Sequence, residues 1–161
     1  MNENADKEIK LPAVITTTID YRNTTNYLVE AGYYDHVDPN INSRTFPVNG
    51  NGEVEVTFEL VHLNKEVSTE AALAYLDANG MRPATAQELL VFGKIYPEAQ
   101  WEFPVVALGS FWVQSNGVKQ VLNLGRSGSG RVLRRTEFSR NWNRLCRFLA
   151  VRKSVQPLSP V

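Results

Sequence analysis

The sequence predicts a single α+β domain, in which two early strands and two helices precede a four-stranded antiparallel sheet region. Three observations support this prediction. Residues 53–63 alternate apolar and polar side chains, as a half-buried strand does. Thr85 and Glu88 have the spacing of a helix capping box. After Pro104 the pattern changes to the period of two that strands show.

The elements before Pro104 follow from local patterns. Residues 13–21 are rich in β-branched side chains and predict the first strand, and residues 53–63 predict the second. Asn23 or Thr24 is positioned to cap a short helix over residues 26–31. Ser68 is positioned to cap a helix over residues 69–79, and the Thr85–Glu88 box begins the next helix, which Pro97 ends.

The elements after Pro104 are predicted to be strands joined by loops. Residues 105–113 are nearly all apolar, which is typical of a strand buried on both faces. Asn116-Gly117 is a strong hairpin signal. The remaining predicted segments are a strand at 118–124, a glycine-rich connection at 125–130, a strand at 131–138, a polar loop at 139–144 and a last strand at 145–153.

Composition favours a globular protein in a reducing compartment. The chain has 161 residues, of which 43% are hydrophobic and 21% charged, and this is enough to form a core. No apolar run reaches membrane-spanning length, and residues 1–10 lack a signal-peptide core, so we expect a cytoplasmic protein with no membrane partner. The single cysteine, Cys146, excludes an internal disulfide. We expect a disordered leader at 1–11, one domain at 12–153 and a flexible tail at 154–161.

Charge is distributed unevenly along the chain. Residues 1–105 carry 7 Lys and Arg against 16 Asp and Glu, whereas residues 106–161 carry 10 against 1. Eight of the ten late cations are arginines. Clustered arginines can neutralise phosphates, so a nucleic-acid or polyanion partner is one interpretation. The favoured interpretation is that acidic elements pack beside the basic sheet and compensate it.

Three motifs with possible chemistry are better explained structurally. The segment 125–132 lacks the Lys-Ser/Thr pair of a phosphate loop, and a hairpin connection fits it better. The segment beginning at Asp38 resembles a calcium loop, but Ser43 replaces the glycine and Asn49 the bidentate glutamate, so Asx turns are favoured. Cys146 fits a buried strand thiol. We therefore predict no catalytic residues, no metal and no cofactor.

The predicted ligand surface lies in residues 126–144. This segment joins strands through Gly-rich and Asn/Ser/Arg-rich loops, which can vary without disturbing a core. Trp142 stands inside a polar loop, where an exposed aromatic beside Asn, Ser and Arg is typical of adaptable binding loops. The candidate ligand-binding residues are Arg126, Ser127, Ser129, Arg131, Arg134, Arg140, Asn141, Trp142, Asn143 and Arg144.

Two segments resemble a known family. Residues 80–89, GMRPATAQEL, resemble the G-[YF]-R-L-P-T-E-A-E-W helix start of the sulfatase-modifying-factor (formylglycine-generating enzyme) group. Residues 146–153, CRFLAVRK, resemble that group's closing G-F-R-V-A-R strand. The resemblance implies a C-type-lectin-like fold whose late sheet carries the ligand surface. Variable proteins diversified by retroelements share this fold and carry their variable positions just before the closing strand, and short uncharacterised bacterial proteins pair the same two segments.

The departures from the family limit what the resemblance implies. The enzymes' paired active-site cysteines cannot exist with Cys146 alone, Arg147 replaces the closing glycine, and the family's G-G-S-W stretch is absent. The implied function is therefore a non-enzymatic module that binds a protein or a small ligand through a variable lectin-like face. The alternative is a nucleic-acid or polyanion binding protein that uses the late arginines.

Overall fold

Eight strands and four helices form the part of the chain that the computed structural model describes, residues 11–48 and 50–153. The strands are β1 (Ile15–Asp20), β2 (His36–Val37), β3 (Glu53–Val61), β4 (Met81–Pro83), β5 (Val105–Val113), β6 (Lys119–Ser127), β7 (Gly130–Glu137) and β8 (Arg147–Arg152). The helices are α1 (Thr25–Ala31), α2 (Thr69–Ala78), α3 (Ala86–Ile95) and α4 (Ala99–Glu102). The predicted leader and tail lie outside the described residues, except Leu11, which packs against the core.

The strands form one mixed sheet with β8 near its centre. The order is β1-β3-β8-β5-β6-β7-β2, and β4 also pairs with β8. One edge of β8 pairs antiparallel with β3. Its other edge is divided: residues 147–148 pair parallel with β5, and residues 150–152 pair antiparallel with β4. The last strand therefore joins the early part of the sheet to the late part.

The predicted four-stranded antiparallel sheet with two helices is wrong. The late strands belong to an eight-stranded sheet, in which β8 lies between β3 and β5 and does not pair with β7. This arrangement was hidden because strand pairing is long-range, whereas periodicity along the chain reports only which residues share a face. Two strands of two and three residues, β2 and β4, are too short to show a period. Helices α1 and α4 are likewise short.

The sheet is covered on both faces. Helices α1, α3 and α4 pack on one face, and α2 with the loop between β7 and β8 packs on the other. Strand β5 shows this two-sided packing. Val105 and Ala107 pack in the core on the face that carries α3, whereas Val106 and Leu108 pack in the core on the face that carries α2. This confirms the predicted two-sided burial for the first half of the strand, whereas Phe111 and Val113 in its second half are exposed.

Both predicted tight connections of the late sheet are hairpins. Gly117 has a φ of 83° between β5 and β6, where Gln114 N–H donates to the Val118 carbonyl. Gly128 has a φ of 56° in the connection between β6 and β7, where Ser127 pairs with Gly130. Positive φ angles of this kind favour glycine. The segment 125–132 is thus a hairpin and not a phosphate loop.

The capping box at the start of α3 is confirmed. The Thr85 hydroxyl accepts from the Glu88 N–H at 3.3 Å, and the Glu88 carboxylate accepts from the Thr85 N–H at 2.8 Å. Thr24 and Ser68 cap α1 and α2 through their hydroxyls, as predicted. Each of these hydroxyls satisfies a backbone donor that the helix itself leaves unpaired.

We expect Thr85→Ala to lower the free energy of unfolding by about 0.5–2 kcal/mol, because the Glu88 N–H loses its acceptor. Urea denaturation measures the change. Ser68→Ala, which removes the single cap of α2, is the matched control and should cost a similar amount. Abolished ligand binding with unchanged stability in Thr85→Ala would contradict a purely structural role.

Glu88 is the fully buried centre of a polar network on the side of the sheet that carries α3. Its carboxylate accepts both Arg82 guanidinium donors at 2.8 Å and the Tyr21 hydroxyl at 2.6 Å. Burial alone would raise the Glu88 pKa, but the hydrogen bonds from Arg82, Tyr21 and Thr85 outweigh it and lower that pKa. Burial, together with the bond to Glu88, raises the pKa of Tyr21 to about 12. The network connects β4 and α3 with the residue that follows β1.

Within residues 11–48 and 50–153, no helix is both long enough and apolar enough to cross a membrane.

Candidate functional site

A cavity of about 170 Å³ lies between the sheet and the β7–β8 loop (residues 138–146), and we name it the loop cavity. The sheet supplies its floor and the loop its wall. Its lining consists of Pro104, Val106, Asn123, Arg134, Thr136, Arg140, Asn141, Trp142, Asn143 and Cys146.

Strand register places the polar groups of the floor. Asn123 of β6 is the cross-strand partner of Arg134 of β7. Thr136 lies two residues beyond Arg134 and therefore on the same face of the sheet. Val121, two residues before Asn123, packs in the core beneath α2, which identifies the face. Three polar side chains thus share the sheet face that the β7–β8 loop covers.

Trp142 fixes the loop against the sheet. Its backbone exchanges two hydrogen bonds with Val67, at 2.8 and 3.0 Å. Its indole N–H donates to the Thr69 hydroxyl at 2.9 Å, and that hydroxyl donates to the Phe138 carbonyl. The ring meets Phe148 edge-on with centroids 6.3 Å apart. These contacts hold the wall of the loop cavity in a defined position.

The prediction that Trp142 is an exposed binding aromatic is wrong. Only 4% of the residue is exposed. A polar loop sequence can still bury one large side chain when the loop folds back on a sheet, because the ring gains apolar burial and its N–H finds an acceptor. Trp142 therefore contributes to the wall of the loop cavity and is not a free stacking surface.

The floor of the cavity has unused hydrogen-bonding capacity. Asn123 is 5% exposed, and its side-chain N–H donates to the Thr136 hydroxyl at 2.6 Å. Among the described residues, the Thr136 hydroxyl has no acceptor for its own proton, and the Asn123 side-chain oxygen has no donor. The Asn123 oxygen is not among the fully buried unpaired atoms of the described residues, so it is accessible, and both it and the Thr136 hydroxyl can hydrogen-bond to a polar occupant of the cavity.

Two arginines give the cavity a positive potential. The Arg134 guanidinium lies against Gly125, where an added Cβ would come within 2.9 Å of Nη2, and it donates to the Arg126 carbonyl at 3.1 Å. Arg140 lies at the rim and is exposed. Among the described residues, neither arginine forms an ion pair, whereas Arg135 is paired with Asp38 and Arg152 with Glu59.

Cys146 contributes a buried thiol to the lining, which confirms its predicted burial, but it lies directly before β8 and not within a strand as predicted. Its sulfur lies 3.6 Å from the Asn143 side-chain oxygen. Burial raises the Cys146 pKa, and the nearby positive charge of Arg140 acts in the opposite direction. The net increase keeps the thiol protonated at neutral pH, which is the unreactive form.

The structure divides the ten predicted ligand residues among different places. Arg134, Arg140, Asn141, Trp142 and Asn143 line the loop cavity. Arg126, Ser127 and Ser129 are exposed at the tip of the β6–β7 hairpin and do not line it. Arg144 is exposed, and its carbonyl accepts a hydrogen bond from the His62 ring. Arg131 lies on the opposite face of the sheet.

Arg131 is buried, with 8% exposed, so its predicted place on the ligand surface is wrong. Its guanidinium donates to the carbonyls of Gly32 at 2.7 Å and Gly93 at 3.0 Å, and to the Gln100 side chain at 3.2 Å. It also lies 4.6 Å from the centre of the Tyr34 ring. The reason is register, because Arg131 shares its face of β7 with the core residue Leu133.

The predicted compensation between acidic and basic segments is partial. Late cations pair with early carboxylates in three ion pairs of the described residues: Arg135–Asp38, Arg152–Glu59 and Lys153–Asp77. Glu53 pairs instead with Arg22, a neighbour in the early segment. Besides the buried Arg131 and Arg147, which lies over the Phe103 ring, four late arginines form no described ion pair: Arg126, Arg134, Arg140 and Arg144. All four are on the β6–β7 hairpin or on the β7–β8 loop.

The segment beginning at Asp38 folds as Asx turns, as favoured. The Asp38 carboxylate accepts from the Asn40 N–H at 2.9 Å, and the Asn42 side chain accepts from the Arg44 N–H at 2.9 Å. Asp38 is also paired with Arg135. Across residues 11–48 and 50–153, no three His, Cys, Asp or Glu side chains gather closely enough to hold a metal ion.

Sequence reasoning missed Asn123 and Thr136 as lining residues. Asn123 interrupts the apolar run Val121-Leu122-Asn123-Leu124, and a lone amide inside a buried strand indicates a polar contact on one face. Thr136 carries no such signal, since threonine is common in strands. Its role depends on the register between β6 and β7, which the sequence does not specify.

No family model, no curated protein and no solved structure matches this chain. The lectin-like resemblance of residues 80–89 and 146–153 stays a prediction.

Proposed function

We propose that this protein is a non-enzymatic binding module whose ligand occupies the loop cavity. The observation that carries the proposal is the convergence of five predicted ligand residues on one cavity that also has unpaired polar groups. Small-ligand sites are typically concave and contain a few converging polar side chains. A binding role is favoured over catalysis because the Cys146 thiol is held protonated and the described lining contains no histidine to act as its base.

The position of the cavity agrees with the family resemblance. The β7–β8 loop directly precedes β8, and β8 contains most of the segment that resembles the closing strand of the lectin-like proteins. In the proposed role, the loop sequence would determine ligand choice while β8 and Trp142 hold the scaffold. A cytoplasmic setting belongs to the same proposal, since reducing conditions would keep Cys146 as a free thiol.

The way the loop is attached supports binding by a preformed site. The backbone bonds to Val67 and the indole bond to Thr69 hold Trp142 in place before any ligand arrives. A wall that is already ordered loses less conformational entropy when ligand binds. We therefore expect binding to proceed with little rearrangement of the sheet.

A polyanion partner is the second candidate, and the unpaired arginines favour it. Arg126, Arg140 and Arg144 are exposed and form no ion pair with a described residue. Such a surface would bind DNA or RNA with an affinity that falls steeply with salt concentration, because counterions are released from the phosphates. Binding in the cavity should depend less on salt. Tight, strongly salt-dependent nucleic-acid binding at 150 mM salt would favour this second candidate.

The test of the proposed function is a ligand screen with a matched variant. The full chain is screened against amino acids, organic acids, sugars and nucleosides by thermal shift, and each hit is repeated with Asn123→Leu. The variant replaces a polar floor group by an apolar one of similar size, so a cavity ligand should lose most of its stabilising effect. Ser127→Ala at the hairpin tip is the control and should leave binding unchanged.

Two results would contradict the proposed function. Hits that stabilise the wild type and Asn123→Leu equally would place the ligand elsewhere. Chemical conversion of a hit by the wild type, followed by mass spectrometry and lost in Asn123→Leu, would show that the cavity is catalytic.

A further inference from the structure

We propose that the loop cavity binds a compact anionic group, a carboxylate, phosphate or sulfate, through the side chains of Arg134, Arg140 and Thr136. This inference rests on the proposed function, because it takes the same cavity as the ligand site, and it adds the chemical class of the ligand.

The charged side chains of the cavity favour an anion. Arg134 and Arg140 are the charged side chains of the described lining, and both are positive. Neither has a carboxylate partner among the described residues. Arg134 is half-buried, and its guanidinium lies against the Gly125 backbone and donates to the Arg126 carbonyl at 3.1 Å, which places it at the floor. Two like charges facing one small space repel each other, and a bound anion relieves that repulsion.

The hydrogen-bonding groups around the cavity also favour an anion. The Thr136 hydroxyl accepts from Asn123, so its proton is free to be donated into the cavity. The arginine N–H groups are donors only, and Arg134 has one described acceptor, the Arg126 carbonyl. The floor and rim therefore present several donors that are not used within the protein. Anions with two or three acceptor oxygens satisfy such a set, and bonds between ions are the stronger kind.

The size of the cavity suits a compact group. A volume of about 170 Å³ is below the range of roughly 300–1,000 Å³ that is usual for drug-sized ligands. It suits a small ion or the anionic end of a larger molecule. This distinguishes the site from a nucleic-acid groove, which would have to follow a backbone over several phosphates.

Neighbouring carboxylates do not neutralise the site. A wider, open pocket of about 550 Å³ adjoins the loop cavity and shares Thr136 and Arg140 with it. Its lining includes Asp38 and Glu137. Asp38 is engaged by Arg135 at 2.9 Å, and Glu137 is exposed to solvent. The remainder of a larger ligand can extend into this open pocket while its anionic end stays beside Arg134.

The single cysteine of the chain provides a direct test. Cys146 lines the cavity, so its alkylation reports which small molecules enter. Iodoacetate and iodoacetamide are similar in size and differ in charge. The measured quantity is the ratio of their alkylation rates in the folded chain, divided by the same ratio in the urea-unfolded chain. This quotient cancels the intrinsic reactivity of each reagent and any change in the thiol pKa.

We expect the quotient to be about tenfold above one in the wild type, because the arginines concentrate the anionic reagent beside the thiol. Arg140→Gln and Thr136→Val should each lower it severalfold, and Arg134→Gln should do the same. The matched controls are Arg126→Gln and Arg144→Gln, which remove one exposed positive charge outside the described lining and should leave the quotient within twofold of wild type. Circular dichroism checks that each variant is folded.

Competition then separates the sources of the anion. Acetate, inorganic phosphate and sulfate are added at equal ionic strength, and acetamide serves as the neutral control. Protection of Cys146 by acetate alone indicates a carboxylate site, and protection by phosphate or sulfate indicates an oxyanion site. Acetamide should not protect.

Three outcomes would overturn the inference, and they differ in what they imply for the proposed function. A quotient of one with rapid alkylation by both reagents leaves an accessible cavity without anion preference, so the proposed function stands. If the four Arg→Gln variants, at positions 126, 134, 140 and 144, all lowered the quotient equally, the preference for iodoacetate would come from the general positive charge of the surface and not from the loop cavity. Because a protonated thiol reacts slowly even in an open cavity, failure of both reagents to react before unfolding is read together with thermal shift. If acetate, phosphate and sulfate also leave the melting temperature unchanged, the cavity admits no anion, and if the ligand screen gives no hit either, the proposed function is contradicted as well.

Discussion

Replacing Glu88 with glutamine is expected to lower the free energy of unfolding by about 3 kcal/mol. The glutamine side chain has one oxygen where the carboxylate has two, and its amide N–H groups face other donors. The Arg82 guanidinium, the Tyr21 hydroxyl and the Thr85 N–H compete for the remaining acceptor. Urea denaturation at pH 7 measures the loss, and Glu55→Gln on the exposed side of β3 is the control.

The effect of Glu88 should also depend on pH in a defined direction. Its pKa is lowered in the folded state, so its stabilising contribution is complete above the unfolded pKa of about 4.3 and is lost as the pH falls through the folded pKa. The stability difference between wild type and Glu88→Gln should therefore shrink in acid. An equal difference at pH 7 and at pH 2, with both chains folded, would contradict a buried ionised carboxylate.

Replacing Arg131 with methionine is expected to lower the free energy of unfolding by about 3–5 kcal/mol. Methionine retains most of the apolar stem but removes every donor. The carbonyls of Gly32 and Gly93, which lie at or near the ends of α1 and α3, then lose their partner in a buried place. The stacking of the guanidinium on Tyr34 is lost as well.

The matched control for Arg131 is Arg126→Met, which is exposed at the β6–β7 hairpin and should change stability by no more than about 0.5 kcal/mol. Both variants lose one positive charge, so the comparison isolates burial. If Arg131→Met kept wild-type stability and lost ligand binding, the sequence-based assignment of Arg131 to the ligand surface would be restored.

Local structure was predictable where one short segment determines it. The Thr85–Glu88 spacing, the Ser68 and Thr24 caps and the Asn116-Gly117 hairpin all appear as expected, because each depends on neighbouring backbone groups. The sheet order was not predictable in this way. The residues of β8 carry no local signal for parallel pairing with β5. This pairing contradicts the predicted four-stranded antiparallel arrangement.

The candidate site was predictable in part for the same reason. Composition identified the β7–β8 loop, and four of its expected residues line the cavity together with Arg134 of β7. Composition could not separate Arg131 from Arg134, because the two differ only in which face of β7 they occupy. It also made Trp142 look exposed, since the acceptor that its indole finds is Thr69, more than seventy positions earlier.

The place of β8 at the centre of the sheet has a consequence for how the chain folds during synthesis. Residues 147–152 leave the ribosome after every other described strand, yet β1 and β3 are joined to β5, β6 and β7 within the described sheet only through them. Until then the nascent chain carries two partial sheets with open edges, which are prone to pair with other chains. Contacts such as Phe58 with Val151 span most of the sequence, and such long-range contacts slow folding. We therefore expect the native sheet to form in one late step, which closes around β8 only after residues 147–152 have left the ribosome.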